Sequence, residues 1–301
     1  MVSVIIPCYN YGHLISDSLE SVLRQSYTDI EVIVINDGST DNTEEVVKRF
    51  LVKDERVKYK KYANSGLGNA RNKGIEAALG KYIQFLDADD LLEGKKFEEQ
   101  LKIFNLDQRI GIVYGSVRYF TKNPACNEDR LVTYWGSEQE WMPKLHGMGH
   151  DILARGLKGN FAHLSSVLFR KDVIETVGCF DNDISAVADY HYLLLCAIRN
   201  IFFYYHDFPG TYSLVRWHPN NMSKDPNYMR EQEIKMRKKL FPELVHYPEA
   251  DRNNKYAIKA LSYQVNESWK KKFLSGGQFD VVKKYIRLMG LENILKRIFY
   301  K

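Results

Sequence analysis

Apolar positions in the first ninety residues keep two alternating rhythms. Four short runs rich in β-branched and aromatic side chains, residues 2–6, 31–36, 57–62 and 82–86, read as strands. Between them Leu14, Ile15, Leu19, Val22 and Leu23 recur at helical spacing. Residues 43–51 follow a Ser/Thr/Asp/Asn cluster suited to capping, and residues 67–79 form another amphipathic stretch. Strand and helix in alternation predict an α/β fold whose parallel sheet is covered on both faces, because a parallel crossover needs a helix's length of chain. Ligands of such sheets sit beyond the carboxyl ends of the strands, so the residues directly after each run are the candidate chemistry.

After residue 90 the alternation loosens. Residues 110–120 read as one further strand, 121–160 are rich in Gly, Trp and His without a clear period, and an apolar pattern resumes over 161–175. From about residue 225 the chain turns strongly charged and helical. The expected organisation is therefore a main domain over 1–224, with halves 1–118 and 119–224, and a basic helical extension over 225–301. Within the extension, residues 281–289 place Lys283, Lys284 and Arg287 opposite Val281, Val282, Tyr285, Ile286, Leu288 and Met289. Gly290 then breaks the pattern before residues 291–299.

Composition narrows the class. With 301 residues, 45% apolar and 27% charged, the chain can bury a large core, which excludes a disordered or fibrous protein. The cysteines Cys8, Cys126, Cys179 and Cys196 lie far apart, with no CxxC pair, so neither a zinc ribbon nor a disulfide framework is expected and a reducing, cytoplasmic setting fits. Met1 leads directly into a strand pattern, so no signal peptide is expected. The most apolar stretch, 190–205, is interrupted by His191, Arg199 and Asn200 and falls short of a membrane span. The net charge of +5 is uneven: residues 251–301 hold 12 Lys/Arg against 4 Asp/Glu, a balance of +8 that leaves −3 for residues 1–250. Such a tail suits an acidic membrane face, as a peripheral contact, or merely a solvated surface over packed apolar faces. No nucleic-acid motif accompanies it.

The polar segments after the four runs are specific in type. Asp87 and Asp89, two residues apart after the fourth run, can both approach one ligand; hard oxygens of this kind suit Mg²⁺ or Mn²⁺ on a diphosphate. An Asp-rich turn also caps helices, and Asp90 is suited to that. Asp37 can accept from a base N–H, although Asp37-Gly38-Ser39-Thr40 also makes a good turn and cap. Tyr9 can stack on a base or fill a core. Arg71, preceded by Gly66 and Gly68 at a helix start, can place a cation and free amides beside an anion. The Gly66-x-Gly68 string lacks a third glycine, where Arg71 stands, and does not follow the first strand, which excludes a dinucleotide-dependent dehydrogenase. A phosphatase with an Asp-x-Asp nucleophile is excluded because Pro7-Cys8-Tyr9-Asn10 occupies that place.

These four segments in this order, Val2 to Asn10, Asn36 to Asp41, Asn64 to Asn72 and Leu86 to Asp90, resemble the family 2 glycosyltransferases, inverting nucleotide-sugar enzymes with the GT-A fold, a Rossmann-like, mainly parallel sheet flanked by helices. The likeness is closest over residues 2–90 and continues more loosely to about 225. It implies a nucleotide-binding half over 1–118 and an acceptor-binding half over 119–224. It implies that Pro7, Tyr9, Asn10 and Asp37 line a uracil pocket, that Arg71 lies near the nucleotide, that Asp87 meets the ribose and that Asp89 holds the metal. After Gly178-Cys179-Phe180-Asp181, the Asp189 of Ala188-Asp189 matches the family's catalytic base, with Ala188 in place of the usual Glu; as a residue type Asp189 also suits the cap of the following helix. Arg216-Trp217-His218 and Asn221-Met222-Ser223 resemble the loop that closes over the diphosphate, with His218 a metal or phosphate contact. Ser213-Leu214-Val215-Arg216-Trp217 lacks the first residue of the processive QxxRW signature, which favours addition of a single sugar over chain extrusion. The implied function is transfer from a nucleotide-diphosphate sugar, a UDP-sugar in first place, to a glycan or lipid-linked hydroxyl. A non-catalytic nucleotide-sugar-binding scaffold is the alternative, and Ala188 is the feature that favours it.

Overall fold

The structure is a computed structural model that describes residues 1–122, 131–133, 139–218 and 221–274. In chain order its elements are β1 (Val2–Cys8), α1 (Ile15–Leu23), β2 (Ile30–Asp37), α2 (Thr43–Lys53), β3 (Val57–Tyr62), α3 (Leu67–Ala77), β4 (Tyr82–Phe85) and β5 (Leu91–Leu92). There follow α4 (Lys96–Leu106), β6 (Ile110–Tyr114), β7 (Val117–Phe120), β8 (His146–Gly147), α5 (His150–Gly156), β9 (Val167–Arg170), α6 (Lys171–Val177), α7 (Ala188–Ile198), β10 (Phe202–Tyr205), β11 (Ser213–Arg216), α8 (Pro226–Lys239) and α9 (Pro248–Leu274). The chain divides into two compact units, Met1–Asn221 and Met222–Lys301.

In the first unit an eight-stranded sheet runs β3-β2-β1-β4-β9-β6-β10-β8. The pairs β3-β2, β2-β1, β1-β4 and β6-β10 are parallel, whereas β9 lies antiparallel between β4 and β6 and β8 antiparallel beside β10. Every residue of β1 and β2 is buried, as central strands covered on both faces require, while the edge strand β3 turns Lys58, Lys60 and Lys61 outward and is thereby protected from pairing with another chain. The core behind the site joins Val4, Ile6, Val32 and Val34 to Ile15, Leu19, Val22, Val47, Phe97 and Phe104. Helix α3 seats directly on β1 at Gly74, where an added Cβ would overlap the Ile5 side chain.

Two expectations change in the second half. The single strand read over 110–120 is two, β6 and β7, in different sheets; the chain breaks at Gly115, whose close approach to the His206 carbonyl leaves no space for a side chain. The apolar stretch 161–175 divides into a 3₁₀ turn at Leu164–Ser166, then β9, then α6. With four residues, all buried, β9 carries no alternation from which to read it. A smaller sheet, β5-β11-β7, stands beside the first; β11 lies parallel to β7 and antiparallel to β5, so residues 213–216 follow directly the level of the Asp87–Asp90 turn.

The second unit pairs α8 with α9. Asp225 caps α8 by accepting from the Asn227 and Tyr228 amides, with Pro226 in the first turn. Between the helices Asn254 Nδ2 donates to the Arg237 carbonyl (2.8 Å), Asn227 Nδ2 to Ser268 Oγ (2.8 Å) and Trp269 Nε1 to Glu231 (3.1 Å). The amphipathic pattern expected over 281–289, and its continuation over 291–299, lies outside the described residues. Among the described residues no helix is long and apolar enough to cross a membrane.

Candidate active site

Register brings the expected residues to one rim. Parallel pairing sets Cys8 opposite Asn36 and Ile5 opposite Phe85, so β1, β2 and β4 deliver Tyr9, Asp37 and Asp87 to the same carboxyl edge. Pro7 is buried within β1, and Tyr9 emerges beyond it with 48% of its surface exposed, free to stack rather than fill the core. Asn10 adopts φ 59°, with its amide donating to Ser39 Oγ (2.9 Å) and its Oδ1 accepting from the Thr40 amide (2.8 Å); it ties the first rim loop to the second. Asp37 is buried. Its Oδ1 accepts from the Ser65 amide (2.9 Å) and hydroxyl (3.1 Å), and its Oδ2 from the Gly66 amide (2.8 Å). The carboxylate that the sequence offers to a base therefore already fixes the loop before α3. Gly38 beside it has φ +77°, and a Cβ there would come within 2.7 Å of the Asn64 amide nitrogen.

Arg71 leaves α3 almost fully buried and its Nη2 donates to Asp87 Oδ1 at 2.9 Å, while the guanidinium lies 5.5 Å from the centre of the Phe180 ring. Its Nε is buried without a hydrogen-bond partner among the described residues. Asp189 stands in the same field, as the second residue of α7; Val187 precedes the helix, so Asp189 is not its cap. Asp189 Oδ1 accepts from the Tyr190 amide (2.8 Å). Burial pushes its carboxyl above the ordinary range, Arg71 and His163 pull it back, and Asp87 adds to the rise. A carboxylate of raised affinity for protons is the kind a general base needs near neutral pH. Ala188 is buried, so a Glu at that position would add a second enclosed carboxylate beside the first.

Asp89 is buried and its Oδ2 lies 2.9 Å from His218 Nε2. Its pKa is raised by burial and by Asp87, against the pull of His218. Asp90 is enclosed behind it: Oδ2 accepts from Ser165 Oγ (2.9 Å) and Oδ1 from the Arg216 amide (3.1 Å). The cap expected of Asp90 is absent, since Lys95 precedes α4 and Asp90 instead joins the DADD turn to β11. Burial and the charges of Asp89 and Asp87 hold Asp90 well above the usual carboxylate range. Asp89 alone of the three acids meets the His218 imidazole, while Asp87 pairs with Arg71 and Asp90 is enclosed by Ser165 and Arg216. Among the described residues no group of three His, Cys, Asp or Glu side chains is arranged to enclose an ion.

Several residues were not singled out by sequence reasoning. Asn72, next to Arg71, clamps the Phe180 backbone at both ends: Phe180 N donates to Asn72 Oδ1 (2.8 Å) and Asn72 Nδ2 to the Phe180 carbonyl (2.9 Å). Phe180 in turn stacks on Tyr192 of α7 at 4.3 Å between ring centres, and Tyr192 hydroxyl donates to the Gly178 carbonyl (2.9 Å). The Arg71 cation and the helix carrying Asp189 thus share one aromatic support. His163 has a buried Nδ1 without a partner among the described residues and acts electrostatically on Asp189. Tyr11, with its ring centre 6.0 Å from that of His218, has its hydroxyl pushed upward by burial and by the Asp89 charge. Only the Asn72 contact had a local signal, its place beside Arg71 in the third motif.

An α/β rim of this kind, with acidic turns after adjoining parallel strands, is where folds of this class take their ligands. Residues 3–178 match the profile of glycosyl transferase family 2, and the chain belongs to that family. It is 33% identical over 199 residues to YibD, an uncharacterized glycosyltransferase of Escherichia coli, covering 64% of this chain and 53% of that protein. The chain spans about half the length of several curated relatives it matches. In fold it is similar to TarS of S. aureus in complex with UDP-GlcNAc, with a TM-score of 0.65 at 17% identity over 98% of this chain and 80% of that one. It is also similar to the mannosyltransferase PcManGT from Pyrobaculum calidifontis in complex with GDP-Man and Mn²⁺, with a TM-score of 0.57 at 17% identity over 100% of this chain and 87% of that one.

Proposed function

We propose that this chain is an inverting glycosyltransferase that moves a single sugar from a UDP-sugar to the hydroxyl of a glycan or lipid-linked acceptor, in polysaccharide or glycolipid assembly on the cytoplasmic side. The observation that carries this reading is the continuous electrostatic cluster in which Asp87 links the Asp89–His218 pair on one side to Arg71 and Asp189 on the other. Residues 1–224 would form the transferase domain, 1–118 receiving the nucleotide and 119–224 the acceptor, with 225–301 as the extension.

In this reading Pro7, Tyr9, Asn10 and the Asp37 loop receive the base, Tyr9 through its exposed ring. Asp87, oriented by Arg71, accepts from the ribose hydroxyls. Asp89 and His218 would hold Mg²⁺ or Mn²⁺, which when bound would supply Lewis-acid neutralisation of the departing diphosphate. Asp189 takes the acceptor hydroxyl proton as the oxygen attacks the anomeric carbon from the face opposite the nucleotide, the bond to the diphosphate breaking as the new bond forms. One carboxylate is enough for such a displacement. UDP-sugar is placed ahead of GDP-sugar on the higher fold similarity to TarS in complex with UDP-GlcNAc, a TM-score of 0.65 against 0.57 for the GDP-Man-bound neighbour.

The donor assignment is tested by thermal shift against UDP, GDP, CDP and their sugars, with and without Mn²⁺. Protection by UDP that needs the metal is the expected result. Protection by GDP alone would replace the donor, and protection by none would overturn the reading.

A further inference from the structure

α9 is two-faced. Ala250, Asn254, Val265 and Trp269 are buried on the side that meets α8. On the opposite side Arg252, Tyr256, Lys259 and Tyr263 follow one another at spacings of four, three and four residues, which stacks them in a single row along the helix. Tyr256 is 76% and Tyr263 64% exposed. Lys270 extends the row with 44% of its side chain exposed, so the row runs for about 27 Å at 1.5 Å per residue. Asp251 lies off the row and pairs with Lys255, whereas Glu249 and Glu267 continue the row at spacings of three and four, Glu267 lying 3.8 Å from Lys270; cations still prevail along α9, with six Lys/Arg against three Asp/Glu over Pro248–Leu274.

We propose that this row docks the C-terminal unit on an anionic phospholipid surface. Lysine and arginine between tyrosines match such a surface in both of its properties, negative charge and an interface where an aromatic ring can sit with its hydroxyl in water. A single row along one helix face suits a flat, extended partner. Its charge disfavours residues 275–301 as occupant, since they carry six Lys/Arg against two Asp/Glu and would be repelled. The proposal is independent of the transferase chemistry. Its failure would leave transfer to a soluble acceptor untouched, and loss of that transfer in Asp189 variants would leave docking intact.

The test is flotation of the full chain with vesicles of phosphatidylcholine alone or mixed with about one third phosphatidylglycerol. Binding to the mixed vesicles only, released as salt rises, is expected. Arg252→Gln, Lys259→Gln and Lys270→Gln together should lower the partition about a hundredfold, at about fivefold per charge. Tyr256→Ser with Tyr263→Ser should weaken binding while keeping its salt dependence. If the triple variant fails to fold, the salt series of the parent chain and the tyrosine pair still decide. Equal binding to uncharged vesicles, no binding to either, parental binding by the folded triple variant, or binding to polyglutamate in place of vesicles would each overturn the proposal.

Discussion

Asp37 and Asp189 are the carboxylates that open and close the site, and they are held in opposite ways. Three donors from the loop just before α3 hold Asp37: the Ser65 amide and hydroxyl and the Gly66 amide. Around Asp189 the polar groups are under-used: it accepts a single amide from its own helix, while Arg71 Nε and His163 Nδ1 beside it have no partner among the described residues. The first region is finished before any ligand arrives. The second stores unsatisfied polarity under burial, which is costly to a folded chain unless a substrate or a shared proton repays it. On the proposed reading, that contrast separates a platform for recognition from a place where protons move.

The largest expected effect tests the reactive side. Asp189→Asn should lower kcat by about 10²–10⁴-fold while calorimetry finds nucleotide affinity within about twofold. Transfer at the parental rate would remove Asp189 from the base role. In the parent enzyme, activity should be lost as pH falls through a pKa raised above that of an ordinary carboxylate, because the base works only when ionised and its burial favours the neutral form. Asp37→Asn should behave differently, raising the donor KM by about 10–100-fold through a loosened loop with kcat little changed. A kcat collapse there would erase the distinction between the two regions.

Asn72→Ala sharpens it. Loss of the clamp leaves both Phe180 backbone groups unpaired, so stability should fall by about 1–3 kcal/mol. Displacing Phe180 from beneath Arg71 should lower kcat about tenfold and move the acid limb of the pH profile upward, since Arg71 no longer offsets the burial of Asp189. An unchanged pH profile would make the clamp merely structural. The smallest effect concerns the anchor of the turn after His163. Lys96 is fully buried, with Nζ donating to the Ser166 carbonyl (2.8 Å), and burial pulls it down to about 7. Since the unfolded lysine stays charged up to its ordinary value near 10.5, the cost of burying it grows as pH falls from there to about 7 and is constant below. Lys96→Met should therefore stabilise the protein by about 1–3 kcal/mol at pH 7, with the gain shrinking towards pH 10 in urea titrations. An equal gain at both values would exclude the buried charge as its cause.

The nucleotide side was legible because its parts are local. Each strand of the first ninety residues is followed by its own polar segment, and β-branched runs alternating with helical spacing are enough to predict covered parallel strands with those polar segments at their carboxyl ends, where the register of β1, β2 and β4 puts Asp37 and Asp87. The second half resisted for equally physical reasons. β9 is short and wholly buried, β6 and β7 part at a glycine, and β11 finds its partners more than ninety residues away in β7 and β5.

The chain's own order of residues determined the family, the covered parallel strands and the acidic turns, because hydrophobic period, turn chemistry and motif spacing are properties of neighbours. Only the tertiary structure decided that Asp90 braces β11 instead of capping a helix, that Asn72 holds Phe180 beneath Arg71, and that His163 shares the field of Asp189. Those are contacts across long chain separations, and which buried polar groups meet, and which are left without partners, is settled by packing in three dimensions and written in no local pattern.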